Sequence, residues 1–236
     1  LTKKEPFFYQ SHKVFYTTIG TLQRTRGLKN IDASKLINNC IKILKIREDI
    51  TARITLKKEE IKNLKENILF LIDIGFRNII PVFDVLEKNW DNQSLRQYNE
   101  QIEYIQRIID KNIKIFGLKD NFIHKKGLCN GGIYNLNIYV DGNIYPCLIT
   151  AGKKDFICGN VYNGVNYNWI RKLDQINNVE LLECKECTYK DFCINTRCKF
   201  YNKVVMGCYS KPNPGLCAIE NFRYYNYYNN KIFSNR

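Results

Sequence analysis

The sequence predicts an α/β partial (β/α) barrel remnant, followed by a cysteine-rich α+β domain with a β-hairpin and short helices. Three observations carry that expectation. Apolar residues in the first 120 positions alternate between strand and helix periods. An Asp141-Gly142 pair separates two β-rich arms. Nine of the ten cysteines fall between Cys129 and Cys217. The pattern changes near residues 117–125, which sets domains of 1–120 and 121–236.

His12–Thr18 is a β-rich run. Residues 33–45 follow a helical period, with Leu36, Ile37, Cys40, Ile41 and Leu44 on one face. Asp32 or Ser34 is the expected cap. Cys40, on the apolar face, reads as a packed thiol. Ile50–Leu56 alternates and is β-branched, as a strand requires. Residues 58–74 predict a helix with Ile61, Leu64, Ile68, Leu71 and Ile72 inward, and Gly75 stands at its C-terminal cap. Asn78–Phe83 is a short apolar strand, and residues 93–112 predict a third helix through Leu95, Tyr98, Ile102, Ile105 and Ile109. Such β-α alternation implies parallel strands with crossover helices, too few here for a closed eight-unit barrel. Asn135–Cys147 then predicts a two-residue hairpin around Asp141-Gly142, and residues 166–177 a short helix.

Composition narrows the function classes. No stretch approaches about 18 apolar residues, and no apolar signal core opens the chain, so a cytoplasmic protein without a membrane helix is expected. Without a secretion signal the cysteines are expected to be reduced and free to bind metal rather than to form disulfides. The net charge of +14 admits a nucleic-acid partner. Its lysines, however, spread along the chain instead of forming one basic arm, so nucleic acid is the weaker expectation. No Gly-x-Ser-x-Gly, phosphate-binding loop or calcium loop occurs. The aromatic, basic FRYYNYYNN near the C-terminus reads as a packed or loose tail.

The cysteines have a tight core, Cys184-x2-Cys187-x5-Cys193-x4-Cys198. A two-residue gap lets two sulfurs face one centre from a single turn, and it serves zinc and iron–sulfur clusters equally. Only His12 and His124 exist, which disfavours His-containing zinc sites. Nine cysteines suffice for two four-ligand centres with one left over.

The order Cys129, twelve residues, Gly142, four residues, Cys147, the tight core and then Cys217 resembles the seven-cysteine signature of the SPASM domain. That domain is the C-terminal extension of radical S-adenosylmethionine enzymes that modify peptides and proteins. YVDGNIYPC and the following Gly159-Asn160-Val161 share the resemblance. The family usually spaces the last two core cysteines by three residues, whereas four separate Cys193 from Cys198 here. The resemblance implies two auxiliary [4Fe–4S] clusters. Cys129, Cys147 and Cys198 would serve the first, and Cys184, Cys187, Cys193 and Cys217 the second. Cys158 and Cys208 lie outside the signature, either as additional ligands or as inert thiols.

The same resemblance extends to the first 120 residues, where Arg53 matches an arginine that lies near the S-adenosylmethionine carboxylate in relatives. An ion pair at a barrel mouth is the other reading of Arg53. The family's Cys-x3-Cys-x2-Cys motif, which binds the cluster that cleaves S-adenosylmethionine, is absent, since Cys40 alone precedes Cys129. With a start at Leu1, this leads us to expect the C-terminal part of a longer enzyme. The family's radical takes a hydrogen atom from a peptide or protein substrate, with ferredoxin or flavodoxin as the implied electron donor. Sulfatase-maturing relatives carry Asp directly after the hairpin cysteine. Leu148 stands there, which points instead to a maturase of ribosomal peptides, such as one that forms thioether crosslinks. The rival expectation is a structural zinc-binding module for protein interaction or nucleic acid.

Overall fold

A computed structural model describes residues 33–116 and 126–234. The expected strand His12–Thr18, the capping candidate Asp32 and the boundary segment 117–125 lie outside the described residues. The chain divides into two compact units. Of the described residues, 33–84 and 96–116 form the first, and 85–95 and 126–234 the second. The segment 85–95, placed by the sequence with the first region, therefore groups with the cysteine-rich one. No helix among the described residues is long and apolar enough to cross a membrane.

The first unit is built on a parallel sheet of three strands, β1 (Thr51–Leu56), β2 (Asn78–Phe83) and β3 (Lys114–Ile115), in that order. Arg53 pairs with Ile80 in the β1–β2 register. Ala52, Ile54 and Leu56 are fully buried while Arg53 and its neighbours two residues away are half-buried, so one face of β1 packs inward. Helix α1 (Ala33–Ile46) buries Cys40 and Leu44, as its period predicts. The second helix opens with a 3-10 segment, Lys58–Asn63, in which the Glu60 carboxylate accepts the Lys57 N–H at 3.0 Å. It continues as α2 (Leu64–Ile74), and Gly75, with φ of 118°, caps it. Helix α3 (Asn92–Ile108) is entered through a reciprocal cap, Ser94 N–H to Asp91 Oδ1 at 2.9 Å and Asp91 N–H to Ser94 Oγ at 3.3 Å. It stops short of the expected residue 112 because the Asp110 carboxylate takes the Asn112 N–H at 2.8 Å and turns the chain.

The second unit carries an antiparallel sheet of β4 (Asn137–Ile138), β5 (Asn143–Tyr145), β6 (Gly159–Asn160) and β7 (Gly164–Val165), again in chain order. The β4–β5 loop corrects the two-residue expectation. Tyr139 N–H donates to the Asn143 carbonyl and Gly142 N–H to the Tyr139 carbonyl, both at 2.9 Å, so three residues form the loop. Asp141 favours this form by accepting the Asn143 N–H at 3.0 Å, and Gly142 supplies the positive φ of 78°. Asn166 caps α4 (Tyr167–Asn177), its side chain accepting from the N–H groups of Asn168 and Trp169. Three further helices follow, α5 (Ile194–Arg197), α6 (Lys199–Met206) and α7 (Pro214–Ser234). The segment FRYYNYYNN is part of α7, where Tyr224 packs on Tyr189 with ring centroids 3.9 Å apart.

Tyr145, Phe156, Leu173 and Phe200 make a core cluster, with Trp169 stacked on Phe200 at 6.0 Å. Cys129, Cys147 and Cys198 pack against that cluster. The hydrophobic core thereby brings together three cysteines from three separate segments.

Candidate metal centre

The first cysteine group is set by short turns. Cys147 precedes a 3-10 turn, Leu148–Thr150, and the Thr150 hydroxyl donates to the Cys147 carbonyl at 2.8 Å while lying 3.7 Å from its sulfur. Cys198 is the junction of α5 and α6. The Cys129 carbonyl accepts from Asn177 Nδ2 at 3.2 Å, tying its loop to α4. The backbone at Gly131 presses into this group. A Cβ there would sit 3.5 Å from Cys129 Sγ, 3.4 Å from Cys147 Cβ and 3.0 Å from the Pro146 carbonyl oxygen.

Electrostatics show how close these thiols are. A hydrogen bond with Cys198 lowers Cys129 to about 6; burial opposes it, and the Gly131 backbone and the Arg197 charge assist. The same bond pushes Cys198 up, with burial and the Cys129 and Cys147 charges adding to the rise. The bond thus favours ionisation of Cys129 over Cys198.

The second group comprises Cys184, Cys187, Cys193 and Cys217. The two-residue gap forms the turn expected of it, with Cys187 N–H on the Cys184 carbonyl at 3.1 Å. Cys193 leads into α5 and Cys217 lies in the first turn of α7. Burial raises Cys184, and Cys217 and Cys187 raise it further. Burial also drives Cys193 up to about 12, with Glu220 and Cys217 contributing. For Cys217 burial again leads and Cys187 adds, but a hydrogen bond from Asn195 opposes the rise. These mutual charge effects place Cys217 within electrostatic reach of Cys184, Cys187 and Cys193, and Cys184 within reach of Cys187.

Asn195 was not legible as a site residue. It is fully buried, and its Nδ2 donates to Cys217 Sγ at 3.2 Å and to the Asn213 carbonyl at 3.0 Å, while its Oδ1 accepts the Asn213 N–H at 3.0 Å. Nothing in the spacing of CINTRC singles it out. Lys199, the only buried lysine among the described residues, was missed as well. Its Nζ donates to the Thr196 carbonyl at 2.7 Å, and it lies within electrostatic reach of Cys184 in one group and Cys198 in the other.

The remaining candidates lie elsewhere. Cys158 is fully buried and donates to the Ile144 carbonyl at 3.3 Å, a packed thiol raised by burial. Cys208 is exposed beside the Ser210 hydroxyl at 3.0 Å. Neither is among the charges that shift Cys129, Cys184, Cys193, Cys198 or Cys217. Cys40 is buried in α1, and burial raises it. Arg53 stands on β1 in the first unit. His12 and His124 lie outside the described residues.

The donor chemistry suits a soft metal centre. Each group is all thiol, which selects zinc, copper(I) or iron–sulfur clusters over hard cations. Buried thiols raised by burial and by one another carry a repulsion that bound metal offsets by holding them as thiolates. Gly131 packs its backbone so closely on the first group that a side chain there would crowd it. Among the described residues, no three His, Cys, Asp or Glu side chains form a ready single-ion site. No protein-family model matches the chain, and no curated protein matches it.

Proposed function

We propose that the chain is the C-terminal portion of a radical S-adenosylmethionine enzyme that modifies a peptide or protein, and that it holds two auxiliary [4Fe–4S] clusters. One observation carries this reading. Among the seven signature cysteines, charge effects link Cys198 to Cys129 and Cys147, and Cys217 to Cys184, Cys187 and Cys193, which supports two groups. That is the division the resemblance implies, and neighbours in sequence do not dictate it. Cys193 and Cys198 are five positions apart yet belong to different groups.

When bound, such clusters supply one-electron chemistry whose potential follows burial and hydrogen bonds to sulfur. The protein's own part is then definable. The Tyr145–Phe200 core packs against the first three thiols, which are half-buried. Asn195 aims a donor at Cys217. Arg53 is the proposed contact for the S-adenosylmethionine carboxylate, and a ferredoxin or flavodoxin the proposed electron donor. Leu148, largely exposed after Cys147, favours a ribosomal-peptide maturase over a sulfatase maturase.

The test is anaerobic purification, an absorption spectrum, and assays of iron, sulfide and zinc. About eight iron and eight sulfide per chain are expected for two clusters. A colourless protein with stoichiometric zinc would overturn the proposal in favour of a structural zinc module.

A further inference from the structure

A cavity of about 480 Å³ lies in the second unit. It opens beside both cysteine groups, because Cys184 lines it and so do Gly127 and Leu128, which lead into Cys129. Its wall carries Lys126, Lys185, Lys190, Arg197 and Lys199. Glu180 and Asp191 oppose these five cations, so the described lining holds an excess of three positive charges. Among the described residues, no ion pair joins any of the five to a carboxylate. Glu220 feels the Lys126 charge from outside the lining.

Backbone carbonyls hold three of the cations in place. Arg197 Nε donates to Gly127 at 3.0 Å, Lys190 Nζ to Lys185 at 3.1 Å and Lys199 Nζ to Thr196 at 2.7 Å. Neutral acceptors fix the positions of these groups without cancelling their charge. Concave sites of roughly 300–1,000 Å³ suit a small group or a side chain better than a flat protein surface. No aromatic ring is among the described residues of its lining, so these offer nucleic-acid bases nothing to stack on. Guanidinium and ammonium groups together recognise carboxylates through charge-assisted hydrogen bonds.

We propose that this cavity is a carboxylate pocket that takes acidic side chains of the peptide substrate and holds that segment beside the two cysteine groups. The ligand class rests on the peptide-modifying function proposed above; the pocket's chemistry rests on its own lining.

The test titrates the full, anaerobically loaded chain with fluorescein-labelled hexaglutamate, with hexaglutamine and a thymidine oligonucleotide as comparison probes. Hexaglutamate binds, hexaglutamine does not, and added sodium chloride weakens the complex. Lys185→Gln/Lys190→Gln weakens it by about tenfold or more, the scale of one or two lost charged contacts, against about twofold or less for Lys153→Gln/Lys154→Gln. The second pair removes two exposed charges outside the cavity. Equal weakening by both variants, tighter binding of the oligonucleotide, or no binding of hexaglutamate overturns the pocket. Iron and sulfide assays on the same samples judge the cluster reading separately. A zinc protein that binds hexaglutamate through Lys185 and Lys190 keeps the pocket and loses the clusters. An iron-loaded protein that ignores hexaglutamate does the reverse.

Discussion

Gly131→Ala tests the first cysteine group without touching a cysteine. The added methyl would lie 3.0 Å from the Pro146 carbonyl oxygen, 3.4 Å from Cys147 Cβ and 3.5 Å from Cys129 Sγ. The first contact is closer than a side-chain carbon ordinarily comes to an oxygen. Relief is hard to find, since that oxygen belongs to backbone directly before Cys147. Any shift that frees it also moves a ligand candidate. Overpacking of this kind costs about 1–3 kcal/mol. The metal-free variant should therefore unfold at lower urea than the wild type. The loaded variant should lose the first centre and keep the second, falling from about eight iron per chain to about four. Gly127→Ala is the control, because a Cβ there meets nothing within 4 Å. Gly131→Ala with full iron and an unchanged urea midpoint would show that these atoms do not enclose a metal centre, and the three-cysteine assignment would fall.

Three further outcomes are expected. Cys187→Ala should lose about half the iron and much folding stability, because metal binding is coupled to folding, whereas Cys40→Ala should leave iron content unchanged. Iron loss from Cys40→Ala would refute the ligand partition. Asn195→Ala strips partners from the buried Asn213 backbone and should cost roughly 2–4 kcal/mol in urea unfolding. It also removes a donor from Cys217, so redox titration should find the second centre at a lower potential, and an unmoved potential would exclude Asn195 from tuning it. In metal-free protein, Cys129 is held at about 6, below the ordinary 9.0. A depressed pKa stabilises the fold fully above pH 9, and this contribution is lost as pH falls through 6. The raised thiols, Cys184, Cys193, Cys198 and Cys217, act in the opposite sense and only above pH 9, where unfolded thiols ionise. The stability difference between wild type and Cys129→Ala should therefore grow from pH 6 to pH 9 in urea titrations. A flat difference would mean that no thiolate is held there.

What the sequence made legible follows the range of the interactions involved. Helix α2, its Gly75 cap and strand β2 depend on neighbours within a turn or on one sheet face, so period and punctuation located them. The hairpin was found, but its loop was one residue too short, because the Asp141 side chain decided the turn and not the Asp-Gly pair alone. The segment 85–95 was misplaced for a longer-range reason. The Tyr201 hydroxyl donates to the Val85 carbonyl across 116 positions, and Asn213 Nδ2 reaches Val85 and Glu87 carbonyls at 3.3 and 3.4 Å. Gly215 is confined to glycine by the same contact, since a Cβ there would lie 2.8 Å from the Glu87 carbonyl oxygen. No local pattern announces such partners.

The cysteines stand between these cases. Their chemistry is legible one residue at a time, but their partition depends on the fold. A five-residue step from Cys193 to Cys198 spans α5, a single helical turn, and carries the chain from the Cys184 neighbourhood to the Cys129 neighbourhood. Residues on that turn are therefore placed to sense both groups. Asn195 reaches the sulfur of Cys217, Arg197 lowers Cys129, and Lys199, just beyond, lies near both Cys184 and Cys198. The four residues between Cys193 and Cys198 make up this turn. Deleting one residue from 194–197 would rotate Cys198 by about 100° relative to Cys193, since a helix turns once in 3.6 residues. Such a deletion should detach Cys198 from Cys129 and cost the first centre its iron while the second keeps its own. Retention of both centres would show that α5 does not set the partition.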